Sequence, residues 1–240
     1  MTTKFGILSK LNFLQDWASS LIASCNPAII HNLEKYHALK KVHYLSAIEG
    51  VQGDYLEFGV FTGSSFCHSI RCCRYSSRFN SELHSTKFYG FDSFAGFGNL
   101  SESDKHPFFT DENFATSLHA VNERAKAAAK GLQYQLVPGF FSDSLKSGPS
   151  SLGIKKSRII FIDSDTYSSA SEALAFCGPT LQEGTFIILD DYFSYKGSSV
   201  RGVAGAFNEF VKNASIEVRT VMNYGMGGAV FIVASLSSVA

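Results

Sequence analysis

The sequence predicts an α/β protein with a mostly parallel sheet, helices on both faces and an antiparallel hairpin at one edge. Two observations carry this. Five short apolar runs alternate with stretches of helical periodicity, the signature of strand–helix–strand units. The last two strand-like runs have only a glycine-containing turn between them, so they must pair as a hairpin.

Residues 5–50 read as helical, in two segments broken near Asn26-Pro27, with Ile29, Ile30, Leu33, Tyr36, Leu39, Val42 and Leu45 at helical spacing. Tyr55–Val60 reads as a buried strand, followed by a Gly/Ser turn and a helix over 64–77. Lys87–Phe91 is a second strand. Residues 93–110, rich in Phe, Ser, Gly and Asn, form a long loop. The Ala125–Ala129 stretch suits a helix over 111–130 that Gly131 stops. Strands follow at Gln133–Val137, Arg158–Ile162 and Thr185–Leu189, with helices over 167–181 and 201–213. Glu217–Met222 and Ala229–Ala234 form the hairpin around a turn at Asn223–Gly228. This divides the chain into an N-terminal helical extension, 1–50, suited to capping the site or to a homodimer contact, and a sheet domain over 51–240.

Composition narrows the function. Of 240 residues, 45% are hydrophobic, and 21 basic side chains balance 21 acidic ones. A zero net charge argues against a broad nucleic-acid footprint. No apolar run approaches the length needed to span a membrane. The five cysteines, Cys25, Cys67, Cys72, Cys73 and Cys177, are odd in number and form no C-x-x-C pair, so they read as small buried hydrophobes in a reducing compartment. A cytoplasmic protein is expected.

Ligands of open α/β sheets bind beyond the carboxyl ends of the strands. The residues there are Glu57 and Gly59, Asp92, Ser142 and Asp143, Asp163 and Asp165, and Asp190 and Asp191. The first turn, Glu57-Phe58-Gly59-Val-Phe-Thr62-Gly63-Ser64-Ser65, lets a backbone approach a ligand closely. It lacks the spacing of a pyrophosphate cradle. Asp92 is placed to accept hydrogen bonds from ribose hydroxyls, with a loop cap as the alternative reading. The strongest signal is Ile159-Ile-Phe-Ile-Asp163-Ser-Asp165 together with Phe186-Ile-Ile-Leu-Asp190-Asp191. Two apolar strands run straight into carboxylates, which repel unless protonated or bridged by a cation. Oxygen-only ligands suit a hard ion such as Mg²⁺. His106, in the long loop, is a candidate base or substrate contact. His31, His37, His43, His68, His84 and His119 read as structural.

With these residues in hand, the chain resembles the macrocin O-methyltransferase family over roughly residues 50–235. Glu57–Gly63 resembles the family's first cofactor loop, and Phe91-Asp92-Ser93-Phe94-Ala-Gly96 its Asp-Ser-Phe-Glu-Gly stretch. Gly139-Phe-Phe-Ser142-Asp143-Ser-Leu145 is similar to Gly-x-Phe-x-Asp-Thr-Leu. Asp163-Ser-Asp165-Thr-Tyr167 resembles Asp-Gly-Asp-x-Tyr, and Asp190-Asp191-Tyr192 matches directly. The resemblance implies a Rossmann-like class I methyltransferase fold, with a seven-stranded, mostly parallel sheet. It implies a metal-dependent enzyme that methylates a sugar hydroxyl of a small molecule or glycan. Glu57, Phe58, Gly59, Thr62, Gly63, Ser64, Ser65, Asp92, Ser93 and Asp163 would hold S-adenosylmethionine, with Ser142 and Asp143 near its adenine. Asp163, Asp190 and Asp191 would bind Mg²⁺, and Asp163 or Asp165 would take the acceptor's proton. Two rivals remain from the residues: a glycosyltransferase using Asp163-Ser-Asp165 as its D-x-D, and a methyltransferase acting on a catechol-like phenol. A degenerate cofactor-binding scaffold is a third.

Overall fold

A computed structural model describes residues 11–98, 100–108 and 114–236. The described residues open with two helices, α1 (Asn12–Ser24) and α2 (Pro27–Ile48). The expected break between them is a cap: the Asn26 side chain accepts from the Ala28 N–H at 2.9 Å, and Pro27 starts the new helix where its missing N–H costs nothing. Then follow β1 (Asp54–Phe58), α3 (Ser64–Ser76), β2 (Lys87–Asp92), α4 (Leu118–Ala129), β3 (Gln133–Pro138), β4 (Ser157–Ile162), α5 (Tyr167–Cys177), β5 (Phe186–Leu189), α6 (Gly202–Ala214), β6 (Ile216–Tyr224) and β7 (Gly228–Leu236).

The sheet has seven strands in the order β3-β2-β1-β4-β5-β7-β6. β1 to β5 are parallel; β7 runs antiparallel to both β5 and β6. Both faces are covered, which is why the inner strands read as continuous apolar runs. One face buries Tyr55, Phe88 and Phe161 with Leu39, Val42 and Phe66. The other buries Leu56, Phe58, Ile160 and Phe231 with Ala173 and Phe207. The chain leaves β1 toward β2 and β3, then returns through β4 toward β5. The strand order therefore reverses between β1 and β4, and a crevice opens above their carboxyl ends.

Two expectations shift. The helix expected from residue 111 starts at Leu118, where Ser117 caps it; residues 109–113 lie outside the described ones. Of the apolar residues read at helical spacing, Leu39 and Val42 are buried while Ile29, Ile30 and Leu33 are exposed. At 100° per residue, His31, Lys35, Ala38, Leu39 and Val42 share the face that docks, and the three apolar residues point away from it. The docking face begins with polar side chains because it meets the site. α1 buries no residue. Among the described residues, no helix is long and apolar enough to cross a membrane. Cys67, Cys72, Cys73 and Cys177 are buried, Cys25 is exposed, and all five are free thiols.

Candidate active site

The turn after β1 is built around a close backbone approach. Gly59 has φ +90°, and a Cβ there would stand 1.8 Å from the Asp163 carbonyl oxygen. The Gly59 N–H donates to Phe91 O (2.9 Å), and the Asp163 N–H donates to Phe58 O (2.8 Å). The exits of β1, β2 and β4 are thereby locked together. Asp92 fastens the same turn: its Oδ2 accepts from the Val60 and Phe61 N–H groups (2.8 and 2.7 Å), and its Oδ1 accepts from Phe94 N–H (2.6 Å). Ser93 Oγ donates to Gly96 O at 2.6 Å.

A cavity of about 660 Å³ lies above these exits, within the range of small-molecule sites. Gly59, Thr62, Ser64, Ser65, Asp92, Ser93, Asp163, Asp165, Asp190 and Asp191 all line it. Gly63 sits just behind, in the left-handed region at φ +77°. Four sequence candidates stand elsewhere: Phe58, Ser142, Asp143 and Glu57. Phe58 is fully buried and stacks on Phe91 with centroids 4.7 Å apart. Ser142 and Asp143 fall on a single helical turn, Phe141–Ser144, whose wall facing the cavity is Phe140 and Phe141. Asp143 instead pairs with Lys146 at 2.7 Å on the surface.

Glu57 lies beneath the turn, fully buried. Its Oε1 accepts from Ser65 Oγ (2.6 Å), and its other oxygen accepts from the Tyr55 hydroxyl. Burial pushes its carboxyl up to about 7 from an ordinary 4.5, although the two hydrogen bonds pull the other way. A carboxyl raised in the folded state contributes its full stability below the unfolded value and loses it as pH rises through the folded one. The loss therefore falls between pH 4.5 and about 7, and at roughly 1.4 kcal/mol per pKa unit it amounts to about 3 kcal/mol. Urea unfolding of Glu57→Gln beside the wild type should show the wild type losing that advantage across this window. A pH-independent difference would mean that Glu57 stays ionised in the fold.

The acid cluster forms where β4 and β5 end. Asp163, Asp165 and Asp191 each bring one carboxylate oxygen within 4.8 Å of the others. Asp165 holds φ +63°, a conformation that Asp and Asn tolerate better than most residues. Burial, then the charge of Asp190, push Asp163 well above the usual carboxylate range, against the pull of Lys35. Burial, then Asp191, do the same to Asp165. Asp190 behaves oppositely. Burial alone would raise it, but Lys35 and His31 outweigh burial and hold it below the ordinary range. The set read from sequence as a metal site was Asp163, Asp190 and Asp191; all three line the cavity, the three carboxylate oxygens within 4.8 Å of one another belong to Asp163, Asp165 and Asp191, and Asp190 is bonded by Lys35, His31 and Tyr224.

Two contributors were missed. Lys35 reaches Asp163 and Asp190, and His31, read above as structural, lines the cavity and places Nε2 3.1 Å from Asp190 Oδ2. Both come from α2, so a search of strand ends cannot find them. The available signal was their i, i+4 spacing, which puts a histidine and a lysine on one helical face. The long loop is also anchored. Asp104 is 2% exposed; it accepts from Ser101 Oγ (2.7 Å) and from the Ser168 side chain and N–H, while Tyr195 donates to its carbonyl (2.8 Å). His106 packs on the Tyr195 ring at 5.0 Å and faces the cavity.

A five-stranded parallel sheet closed by an antiparallel hairpin, with a ligand-sized cavity at its switch point, defines a class I methyltransferase fold. Solved structures agree. The O-methyltransferase NovP superposes with a TM-score of 0.66 at 20% identity, covering 83% of this chain and 79% of NovP. The calicheamicin methyltransferase CalS11 gives 0.66 at 14% identity, covering 97% and 94%. More particularly, residues 27–223 match the Macrocin-O-methyltransferase (TylF) family, to which the chain belongs; it is an O-methyltransferase. Among characterised relatives, the mycinamicin III 3''-O-methyltransferase of Micromonospora griseorubida is 25% identical over 206 residues, 78% of this chain and 74% of that enzyme. The 8-demethyl-8-(2,3-dimethoxy-alpha-L-rhamnosyl)-tetracenomycin-C 4'-O-methyltransferase of Streptomyces olivaceus is 27% identical over 178 residues, 69% and 64% of the two chains. Family membership disfavours the glycosyltransferase reading of Asp163-Ser-Asp165.

Proposed function

We propose that this enzyme transfers the methyl group of S-adenosylmethionine to a sugar hydroxyl of a glycosylated small molecule, assisted by a divalent cation such as Mg²⁺. The observation that carries this reading is the convergence of Asp163, Asp165 and Asp191 in the same cavity as the Gly59 turn. The rhamnosyl group named for the tetracenomycin relative supports a sugar acceptor.

The residues fit both groups. Three half-buried acids with raised proton affinity, crowded within 4.8 Å, favour a bound cation over mutual repulsion. The Gly59 turn leaves backbone exposed beside the aromatic wall of Phe140 and Phe141, a setting for a nucleoside. When bound, the sulfonium supplies an electrophilic methyl group, and the cation supplies positive charge that lowers a hydroxyl pKa. The chain's own part is positional. Gly59, Ser64, Ser65 and Asp92 shape the donor side; Asp163 and Asp191 set the ion; the second oxygen of Asp165 takes the acceptor's proton. Aligning donor and acceptor for in-line displacement supplies a large share of the rate. The loop anchored by Asp104 carries His106 and Phe108 over the cavity and keeps water from it.

Calorimetry with S-adenosylhomocysteine and a radiolabelled methyl-transfer assay on rhamnosylated acceptors test this. Binding of the nucleoside is expected, and transfer should stop in excess chelator and return with Mg²⁺. Full activity in chelator would remove the ion from the mechanism. Stabilisation by UDP with Mn²⁺, and none by S-adenosylhomocysteine, would replace the reading altogether.

A further inference from the structure

Helix α1 buries no residue. A helix of 13 residues standing alone in water is marginal, so its formation calls for a surface to pack on. Its sequence says which side packs. Phe13, Trp17 and Leu21 recur every four residues with Ile22 beside them, and each is more than half exposed. The outer side of α2 continues the pattern, where Ile29 and Leu33 are 57% and 63% exposed.

Charge, area and position choose the occupant. Asp16 is the one Asp, Glu, Lys or Arg between residues 11 and 33, and the exposed Glu34, Lys40 and Lys41 follow. A charge-poor centre with a charged rim is the make-up of a protein–protein interface. An anionic membrane surface would call for basic side chains along α1, and it has none. At about 100 Å² apiece, the six apolar side chains leave roughly 600 Å² open. Leu14 and Ile30, also exposed, bring this near the ~800 Å² that each partner buries in a stable complex. An apolar patch is complementary to a copy of itself, and a two-fold axis closes the contact so that neither patch stays open. Position ties the patch to the site. Ala28, His31, Asn32 and Lys35 line the cavity, while Ile29, Ile30 and Leu33 leave the same turns on the other side.

We propose that a second copy of this chain, related by a two-fold axis, packs on α1 and the outer side of α2. The contact braces from behind the helix that carries His31 and Lys35 into the site. The inference goes beyond the methyl-transfer reading and does not depend on it, since it rests on surface chemistry alone.

Light scattering on the full chain at micromolar concentration tests it, with a melting curve for each variant. The expected mass is twice the 26.2 kDa of the chain. Trp17→Asp and Leu33→Asp should each raise the Kd of the dimer by at least about a hundredfold, because each puts a charge into a desolvated contact. Both positions are exposed, so the fold should survive, and one variant serves if the other fails to fold. Val200→Asp, at an apolar side chain 78% exposed and outside both helices, should leave the mass unchanged. Amide exchange over residues 27–35 should be at least about tenfold faster in a folded monomeric variant than in the wild type. A monomeric wild type overturns the dimer, whether vesicles of anionic lipid then bind the face or residues 1–10 cover it. A dimer that survives both aspartates overturns it as well. Equal exchange in monomer and dimer overturns the bracing of the site.

Discussion

Gly59→Ala is expected to be the most destabilising single-methyl change in the protein, at about 4 kcal/mol or more. Two costs combine. The backbone holds φ +90°, where an L side chain adds strain of about 1 kcal/mol. The larger cost is contact: the new Cβ would stand 1.8 Å from the Asp163 carbonyl oxygen and 2.7 Å from its carbon. Neither atom belongs to a side chain that can turn away. Separating them means moving the exits of β1 and β4 apart, against the Asp163-to-Phe58 hydrogen bond at 2.8 Å. In a chain of this size, melting should fall by roughly 10 °C, at about 2–4 °C per kcal/mol. Gly131→Ala is the control, because Gly131 also has positive φ, +106°, but a Cβ there meets nothing within 4 Å. It should cost only about 1 kcal/mol. Equal melting shifts in the two variants would show that the close approach of β1 and β4 is absent in solution. The site has a stake in this contact, since the carbonyl that Gly59 accommodates belongs to Asp163.

The strand exits were legible because the physics that marks them is local. An apolar run of β-formers ending in a carboxylate, as at Ile162-Asp163 and Leu189-Asp190, must be a buried strand meeting solvent or a ligand. The hairpin was legible for the same reason, since only a glycine turn joins β6 and β7. What side chains do at those exits was less so. Asp92 reads from sequence as a ribose ligand or a loop cap; the fold gives it three backbone N–H groups around the Gly59 turn and a place in the cavity lining. Glu57 reads as part of the cofactor loop, yet strand alternation puts its carboxylate on the Tyr55 side, under the turn. Ser142 and Asp143 yield the cavity wall to Phe140 and Phe141, because a shift of one or two residues on a single helical turn reverses what faces in. Lys35 and His31, whose i, i+4 spacing puts them on one helical face, were missed for a different reason. Their role arises from docking α2 onto the hairpin, a contact between residues nearly 200 apart in sequence that no local pattern encodes.

Asp165→Asn is the prediction that bears most directly on chemistry. It should lower methyl transfer by about 10²–10⁴-fold, the usual contribution of a positioned proton acceptor. Asparagine keeps the size of the side chain and tolerates the φ of +63° that Asp165 holds, so the fold should survive. Alanine would mix backbone strain with lost chemistry. The amide cannot take up a proton, and it cannot replace the anionic oxygen that meets Asp163 and Asp191. Two losses are therefore combined, and ion concentration separates them. Raising Mg²⁺ should restore the part due to weaker ion binding and leave the part due to the missing proton acceptor. Affinity for S-adenosylhomocysteine should stay near that of the wild type, because the donor side of the cavity is shaped by the Gly59 turn and the wall of Phe140 and Phe141. Full recovery at saturating Mg²⁺ would assign Asp165 to the ion alone and move the proton to Asp163. Wild-type activity at low Mg²⁺ would take Asp165 out of the reaction.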